Sequence, residues 1–402
     1  MTSTSLAPRH SRYRRLFTRP GVLPLVVYGL VARLPSGMNV LAVMLATTGA
    51  GHSYALAGAA AGAYAVGAGL SGPLRGRLVD RRGASHVLLV SGFTQLAAML
   101  VLLAVTLARL PGPVLLGATF AVGALLPPVA PVMRTLWGRM LNGEEDLKAA
   151  ASAWETVVID LVYIAGPGLL AALAGVLPPE ACLALSALCT LTGCIGLATR
   201  PPVRALAPTA PGTRDWAGAL RVPAVRASLP LAFLATGSLA AVEVAALRFA
   251  GDHGTPAHSG WLLAALSVGS ATGSLLHGAT RLPGPLPTWL TAALALLALT
   301  WTTASLTPHP LALAALFAAG GLLIGPMMTL QFTLLARSAP APVLTESFAW
   351  LNSSGQAGSA AAAALAGSLV AGTTPAPGFA LAAAMTALAA TLAYAPRGRR
   401  AP

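Results

Sequence analysis

Between Leu282 and Ala336 the chain runs for 55 residues without an aspartate, glutamate, lysine or arginine, and between Ser347 and Pro396 for another 50. Such lengths do not fit inside a soluble core. A membrane-spanning helix takes about 20 predominantly apolar residues, so each stretch holds two. Over all 402 residues only 9% are charged and 56% are hydrophobic, whereas soluble domains carry about 25% charged residues. A soluble fold of this composition would expose far too much apolar surface. The class is therefore an all-α polytopic membrane protein, with the lipid bilayer as its first partner.

Apolar runs bounded by prolines and glycines place twelve spans over 22–46, 55–74, 87–108, 114–136, 149–174, 180–199, 228–250, 260–279, 286–306, 311–336, 347–371 and 376–395. The basic run from Arg9 to Arg19 ahead of the first span resembles the start of a signal peptide. The apolar run that follows reaches Ala46 without a small-residue cleavage site, so it reads as a retained span. With both termini cytoplasmic, 22 of the 25 basic residues fall on one side; Arg33, Arg109 and Arg248 are the remainder. Cationic loops stay on the cytoplasmic side, so the net charge of +14 is a topology signal. Nucleic acid is not implied. The expected location is the cell membrane.

The longest internal polar segment, 200–227, holds Pro201, Pro202, Pro208 and Pro211 and divides six spans from six. The expected organisation is a basic tail over 1–21, a six-helix bundle over 22–199, a cytoplasmic linker over 200–227, a second bundle over 228–395 and a tail over 396–402. Three weak internal matches occur in the same order at offsets near half the chain, as in a duplication. Val66–Gly83 matches a stretch starting at Val268, aligning Gly76 with Gly278 and Asp80 with Leu282; Ala153-Trp154 matches Ala349-Trp350; and "VLPLVVYGL" matches "SLPLAFLAT".

The segment "GRLVDRRG", Gly76 to Gly83, resembles the loop motif of the major facilitator superfamily. Gly76, Asp80, Arg81 and Gly83 match it; the basic pair that follows in the family is replaced by Ala84-Ser85. The resemblance implies two pseudo-symmetric six-helix bundles, with Asp80 and Arg81 latching the halves on the cytoplasmic side at the start of span 11, near Thr345–Ser347. A plain inner loop explains the arginines, Arg77 among them, but not Asp80 or the glycine spacing. Gly166-Pro167 in span 5 resembles the core of a motif of antiporter branches, although Leu170-Ala171 stand where that motif has glycines.

Ionisable residues inside spans are costly and are functional candidates. Counted from the expected span starts, Arg33 and Asp160 both lie about 16 Å deep at 1.5 Å per residue, and an Arg33–Asp160 ion pair is expected. It either serves substrate or proton, or statically joins spans 1 and 5. Glu155 lies shallower and on another face; it is a second proton carrier or a snorkelling residue. Glu243 in span 7 faces the central cavity or contacts Arg248. Asn39 in span 1 and Gln331 in span 10 are neutral polar candidates, and Asn352, Gln356 and Ser359 form one polar stripe on span 11. Cys182, Cys189 and Cys194 lack metal-ligand spacing and read as packing residues.

No phosphate-binding loop and no catalytic or metal constellation appears, so neither an enzyme nor a cofactor is expected. The expectation is a monomeric secondary transporter that moves a small molecule by alternating access, with protons as the coupling ion and export of a drug or metabolite as the direction. A uniporter, an importer, or a non-transporting receptor on the same fold are the alternatives.

Overall fold

The computed structural model describes residues 10–174, 179–206, 218–252, 257–280, 284–370 and 373–394. Residues 1–9 of the expected N-terminal tail, 207–217 of the expected linker and the whole C-terminal tail from 396 lie outside the described residues. The described chain is helical: α1 (His10–Phe17), α2 (Val22–Gly49), α3 (Tyr54–Arg82), α4 (Ala84–Leu107), α5 (Gly112–Ala124), α6 (Val129–Met140), α7 (Glu145–Ala174), α8 (Pro179–Ala198), α9 (Pro201–Arg204), α10 (Pro223–Asp252), α11 (Ala257–Ala279), α12 (Leu286–Ser305), α13 (Pro310–Ser338), α14 (Leu344–Val370) and α15 (Ala376–Tyr394).

Local chemistry sets the boundaries. The Ser53 hydroxyl accepts the Leu56 N–H at 3.2 Å and caps α3. Gly83 lies between α3 and α4 at φ 85°, a conformation glycine tolerates without strain. Pro127-Pro128 supplies no N–H to continue a helix, so the expected fourth span is two pieces, α5 and α6. Counting these as one, nine helices among the described residues are long and apolar enough to cross a membrane. The long helices outside that set are α3, α7 and α14. All three line the seam between the halves, where lipid contact is least and apolarity is least required.

The packing repeats from one half to the other. In the first half α2 packs on α8, α3 on α5 and α4 on α8; in the second, α10 packs on α15, α11 on α13 and α12 on α15. Glycines permit the close approaches, as small residues do between membrane helices. A Cβ on Gly67 or Gly123 would strike the backbone of the facing helix in the α3–α5 pair, and Gly269, Gly273 and Gly321 do the same work between α11 and α13.

The halves meet chiefly at two helix pairs, α3 with α14 and α7 with α11. A Cβ on Gly76 would come within 2.7 Å of the Ala349 methyl, and one on Gly278 within 2.7 Å of the Ala153 methyl. Gly76 and Gly278, and Ala153 and Ala349, are the positions aligned by the internal repeat. The duplication is thus a pseudo-two-fold seam. α1 crosses the seam on one side only. Leu16 is fully buried, Phe17 packs edge-on against Trp154 at 5.1 Å and Arg12 pairs with Asp146, while Tyr13 donates to the Leu275 carbonyl of α11 at 3.1 Å. Outside the bundle, large apolar side chains such as Leu74, Leu100, Leu299 and Leu311 are exposed, as a lipid-facing surface requires.

Candidate functional site

The arginine-rich end of the seam is sealed. Asp80, near the end of α3, accepts the Glu346 N–H at 2.9 Å and the Thr345 N–H at 3.3 Å. These first-turn amides of α14 have no partner within their helix and sit at the positive end of its dipole. Arg77 donates through Nη2 and Nε to Glu346 at 2.7 and 3.2 Å. Glu346 also takes the Ala219 N–H at 3.3 Å and Trp350 Nε1 at 3.4 Å, tying the end of the linker to both halves. The latch therefore consists of Asp80, Arg77 and Glu346. The expectation that Arg81 joins it, and that Arg77 only marks topology, is corrected: Arg81 is exposed. α3 continues through Arg82, so Arg81 lies about 100° round the helix from Asp80.

Further contacts reinforce the seal. Thr135 meets Thr345 at 3.0 Å, Thr156 meets Thr329 at 3.1 Å, and Ser353 donates to the Gly69 carbonyl at 2.8 Å. At the rim Glu145 accepts Arg337 at 2.7 Å and Lys148 at 3.0 Å. The Lys148 hydrogen bond, with Arg337 behind it, holds the Glu145 carboxyl below its ordinary value. Both partners are more than half exposed, so this pair contributes little. Among the described residues, the hydrogen bonds and ion pairs between the halves concentrate between the level of Gly69 and the arginine-rich end.

Beyond the seal, a cavity of about 630 Å³ lies between the halves. Glu243 of α10, Ser270 of α11, Gln331 of α13 and the Asn352–Gln356–Ser359 stripe of α14 line it, with Asp160 and Arg134 from the first half. Its polar groups are underused: Gln331 Nε2, and Arg134 Nε and Nη1 are buried without a hydrogen-bond partner, while Asp160 and Ser270 face each other across it. A second cavity of about 440 Å³ lies toward the arginine-rich end, lined by Trp137, Glu145, Lys148, Glu155 and Arg337. Arg134 and Phe332 border both. The Arg134 guanidinium lies 3.7 Å from the Phe332 ring centroid, and together they form the partition.

Solved structures with the same arrangement decide the fold. A bacterial homologue of the iron transporter ferroportin, in an outward-facing state, matches at TM-score 0.75 and 14% identity over 92% of this chain and 98% of that one. The human organic anion transporter MFSD10 matches at TM-score 0.69 and 16% identity over 96% and 100%. The Escherichia coli fucose:proton symporter matches at TM-score 0.70 and 14% identity over 94% and 99%, and a proton:xylose symporter described as a major facilitator superfamily protein at 0.71 and 12% over 93% and 95%. The fold is that of the major facilitator superfamily. No protein-family model matches the sequence, and no curated relative does.

Within the major facilitator fold the midplane charges fall differently from the sequence expectation. Arg33 does not pair with Asp160. It donates to Glu155 Oε2 at 2.6 Å, and Trp137 Nε1 donates to Glu155 Oε1 at 2.8 Å. α7 begins at Glu145, four residues before the expected start of span 5, so Glu155 lies ten residues into α7 and is level with Arg33, eleven into α2. Asp160 is more than a turn further on and faces the cavity instead. Glu155 is 2% exposed and does not snorkel.

Asn39 does not reach the cavity. It is buried between helices, bonded to Tyr64 and Ser186. Arg248 pairs with Asp252 at 3.0 Å and with the Thr373 carbonyl, which leaves Glu243 to the cavity. Gly166 packs on the Gly37 backbone, where a Cβ would come within 3.0 Å; the side chain of Pro167 lies outside what is described. Glu346, Trp137, Phe332 and Ser270 are site residues that sequence reasoning passed over. Arg134 was counted as an inner-face charge, although the apolar run "VAPVM" before it was a readable sign of burial.

Proposed function

We propose that the chain is a secondary transporter in which the two halves rock about the central cavity, and that the structure is its outward-open state. The observation that carries this reading is the distribution of contacts. The bonds between the described halves concentrate from the level of Gly69 toward the arginine-rich end, while Gln331 and Arg134 in the cavity beyond keep buried donors without partners. Those groups await a solute or its water. The positive-inside rule puts the arginine-rich end in the cytoplasm, and the ferroportin homologue that the chain resembles is itself in an outward-facing state.

Protons are the proposed coupling ion and export the proposed direction. Asp160 and Glu243 line the cavity and have no ion-pair partner among the described residues, so each is free to take a proton in one state and release it in another. Glu155 is held by Arg33 and Trp137 and is not a carrier in this reading. The export direction rests on the resemblance of Gly166-Pro167 to the antiporter motif, supported by the tight packing of Gly166 on Gly37. The similar solved structures include two proton symporters, so direction is the point to test.

The test is solute movement in vesicles of known orientation under an imposed pH gradient. We expect inverted vesicles with an acidic lumen to accumulate the solute. Asp160→Asn and Glu243→Gln should lower gradient-driven accumulation at least tenfold while leaving gradient-free exchange measurable. Accumulation only with the opposite gradient would make the protein an importer. No movement of any solute in a broad panel would remove transport itself.

A further inference from the structure

We infer that Arg134 is the anion-binding group of the central cavity, and that the molecule carried is an organic monoanion with an apolar body. The inference deepens the transport reading and rests on it. Its starting point is a charge count at the partition between the two cavities. Arg33, Arg134 and Glu155 are buried there at 6%, 6% and 2% exposure. Two cations face one anion, and that anion is fully engaged, one oxygen with Arg33 and the other with Trp137. Arg134 lies within electrostatic reach of both Glu155 and Arg33 but forms no ion pair among the described residues. A buried guanidinium left uncompensated costs several kcal/mol. An anion arriving from the cavity would give Arg134 the direct partner that Glu155, taken by Arg33 and Trp137, does not supply.

The geometry fits a carboxylate. Phe332 covers one face of the guanidinium at 3.7 Å, and a stacked guanidinium keeps its N–H edge available. Nε and Nη1, which present their N–H bonds on different edges of the guanidinium, are the atoms without partners, so each offers one charge-assisted hydrogen bond to an arriving anion. Gln331 Nε2 is a further unused donor in the same cavity. The local fold delivers Arg134 there. Pro127-Pro128 ends α5 and restarts the chain as α6, with Arg134 five residues past its first residue, Val129. Interrupted helices are where membrane transporters commonly place binding groups.

The rest of the cavity sets the class. Leu239, Leu263, Ile324, Met328 and Leu351 line it, and about 630 Å³ is far more than an inorganic anion fills. Asp160 and Glu243 border the same space and repel a second negative charge, so the solute carries one charge at one end.

The experiment measures binding to the full chain purified in detergent, with no gradient, so it stands whether or not vesicle transport is seen. The probes are 1-naphthoate, indole-3-acetate and decanoate, each against its own amide. We expect at least one acid to raise the melting temperature, with at least tenfold higher affinity than its amide by calorimetry. Arg134→Gln should remove that preference and Arg134→Lys restore part of it. Equal binding of acid and amide, or no binding by any acid, overturns the inference, as does equal protection by sodium chloride at the same concentration. An Arg134→Gln protein that melts cooperatively and keeps the acid's affinity also overturns it. If Arg134→Gln does not fold, the acid–amide comparison on the unaltered chain still decides.

Discussion

Arg33 and Arg134 are equally buried, yet they call for opposite treatments. Arg33 has a partner whose oxygens are both occupied, so its pair is closed and structural. Removing one member strands the other charge, at a cost of about 3–5 kcal/mol, whereas removing both is far milder. Glu155→Gln should therefore lower the melting temperature sharply, and the double variant Arg33→Met, Glu155→Gln should recover more than half of the loss. Thermal melting of the purified protein measures this. A Glu155→Gln protein as stable as the parent, but defective in proton coupling, would make Glu155 a carrier after all. The sequence brought Arg33, Glu155 and Asp160 into view but mispaired them. Depth was counted from the first apolar residue of span 5, and α7 begins a turn earlier, on the charged residues Glu145 and Asp146. Four residues of helix are about 6 Å, more than the reach of a salt bridge.

At the scale of elements, the helices were legible because lipid demands long apolar runs and glycine–proline punctuation ends them. The break at Pro127-Pro128 was equally visible in the letters. Its consequence was not, because only packing shows that α6 turns Arg134 inward. The internal repeat was legible as well, and the structure gives it a physical meaning at Gly76–Ala349 and Gly278–Ala153. The two sides of that seam are latched differently. Asp80 caps α14 on one side; on the other, Tyr13 of α1 reaches the Leu275 carbonyl instead. Both latches hold the same end closed. Asp80→Asn weakens charge-assisted bonds, a loss of roughly 1–2 kcal/mol or a five- to thirtyfold shift toward the inward-open state. Tyr13→Phe removes one neutral bond worth about 1 kcal/mol and should shift it roughly fivefold. A cysteine placed at Ser152, which lines the inner cavity, reports the shift through its labelling rate with an impermeant reagent, in a background lacking Cys182, Cys189 and Cys194. Faster labelling in both variants is the expected result. Unchanged labelling in Tyr13→Phe would reduce α1 to a packing helix.

Charge also constrains the proposed transport cycle of the whole molecule, because any such cycle must conserve it. If a monoanion leaves as a proton enters, both movements carry positive charge inward, two charges per cycle. A membrane potential supplies about 2.3 kcal/mol per charge per 100 mV, so two charges gain about 4.6 kcal/mol at 100 mV. If the monoanion and the proton move together, the charges cancel and the potential does no work. Direction and coupling are therefore separable in one measurement. In vesicles with the pH clamped equal on both sides, a potassium diffusion potential set by valinomycin should drive naphthoate efflux, with the rate rising as the interior becomes more negative. Arg134→Gln should abolish the response, since the anion would no longer be carried. A naphthoate flux that responds to a pH gradient but ignores the potential would establish proton–anion symport and exclude the exchange cycle, leaving Arg134 as the anion site of a transporter that runs in the other mode.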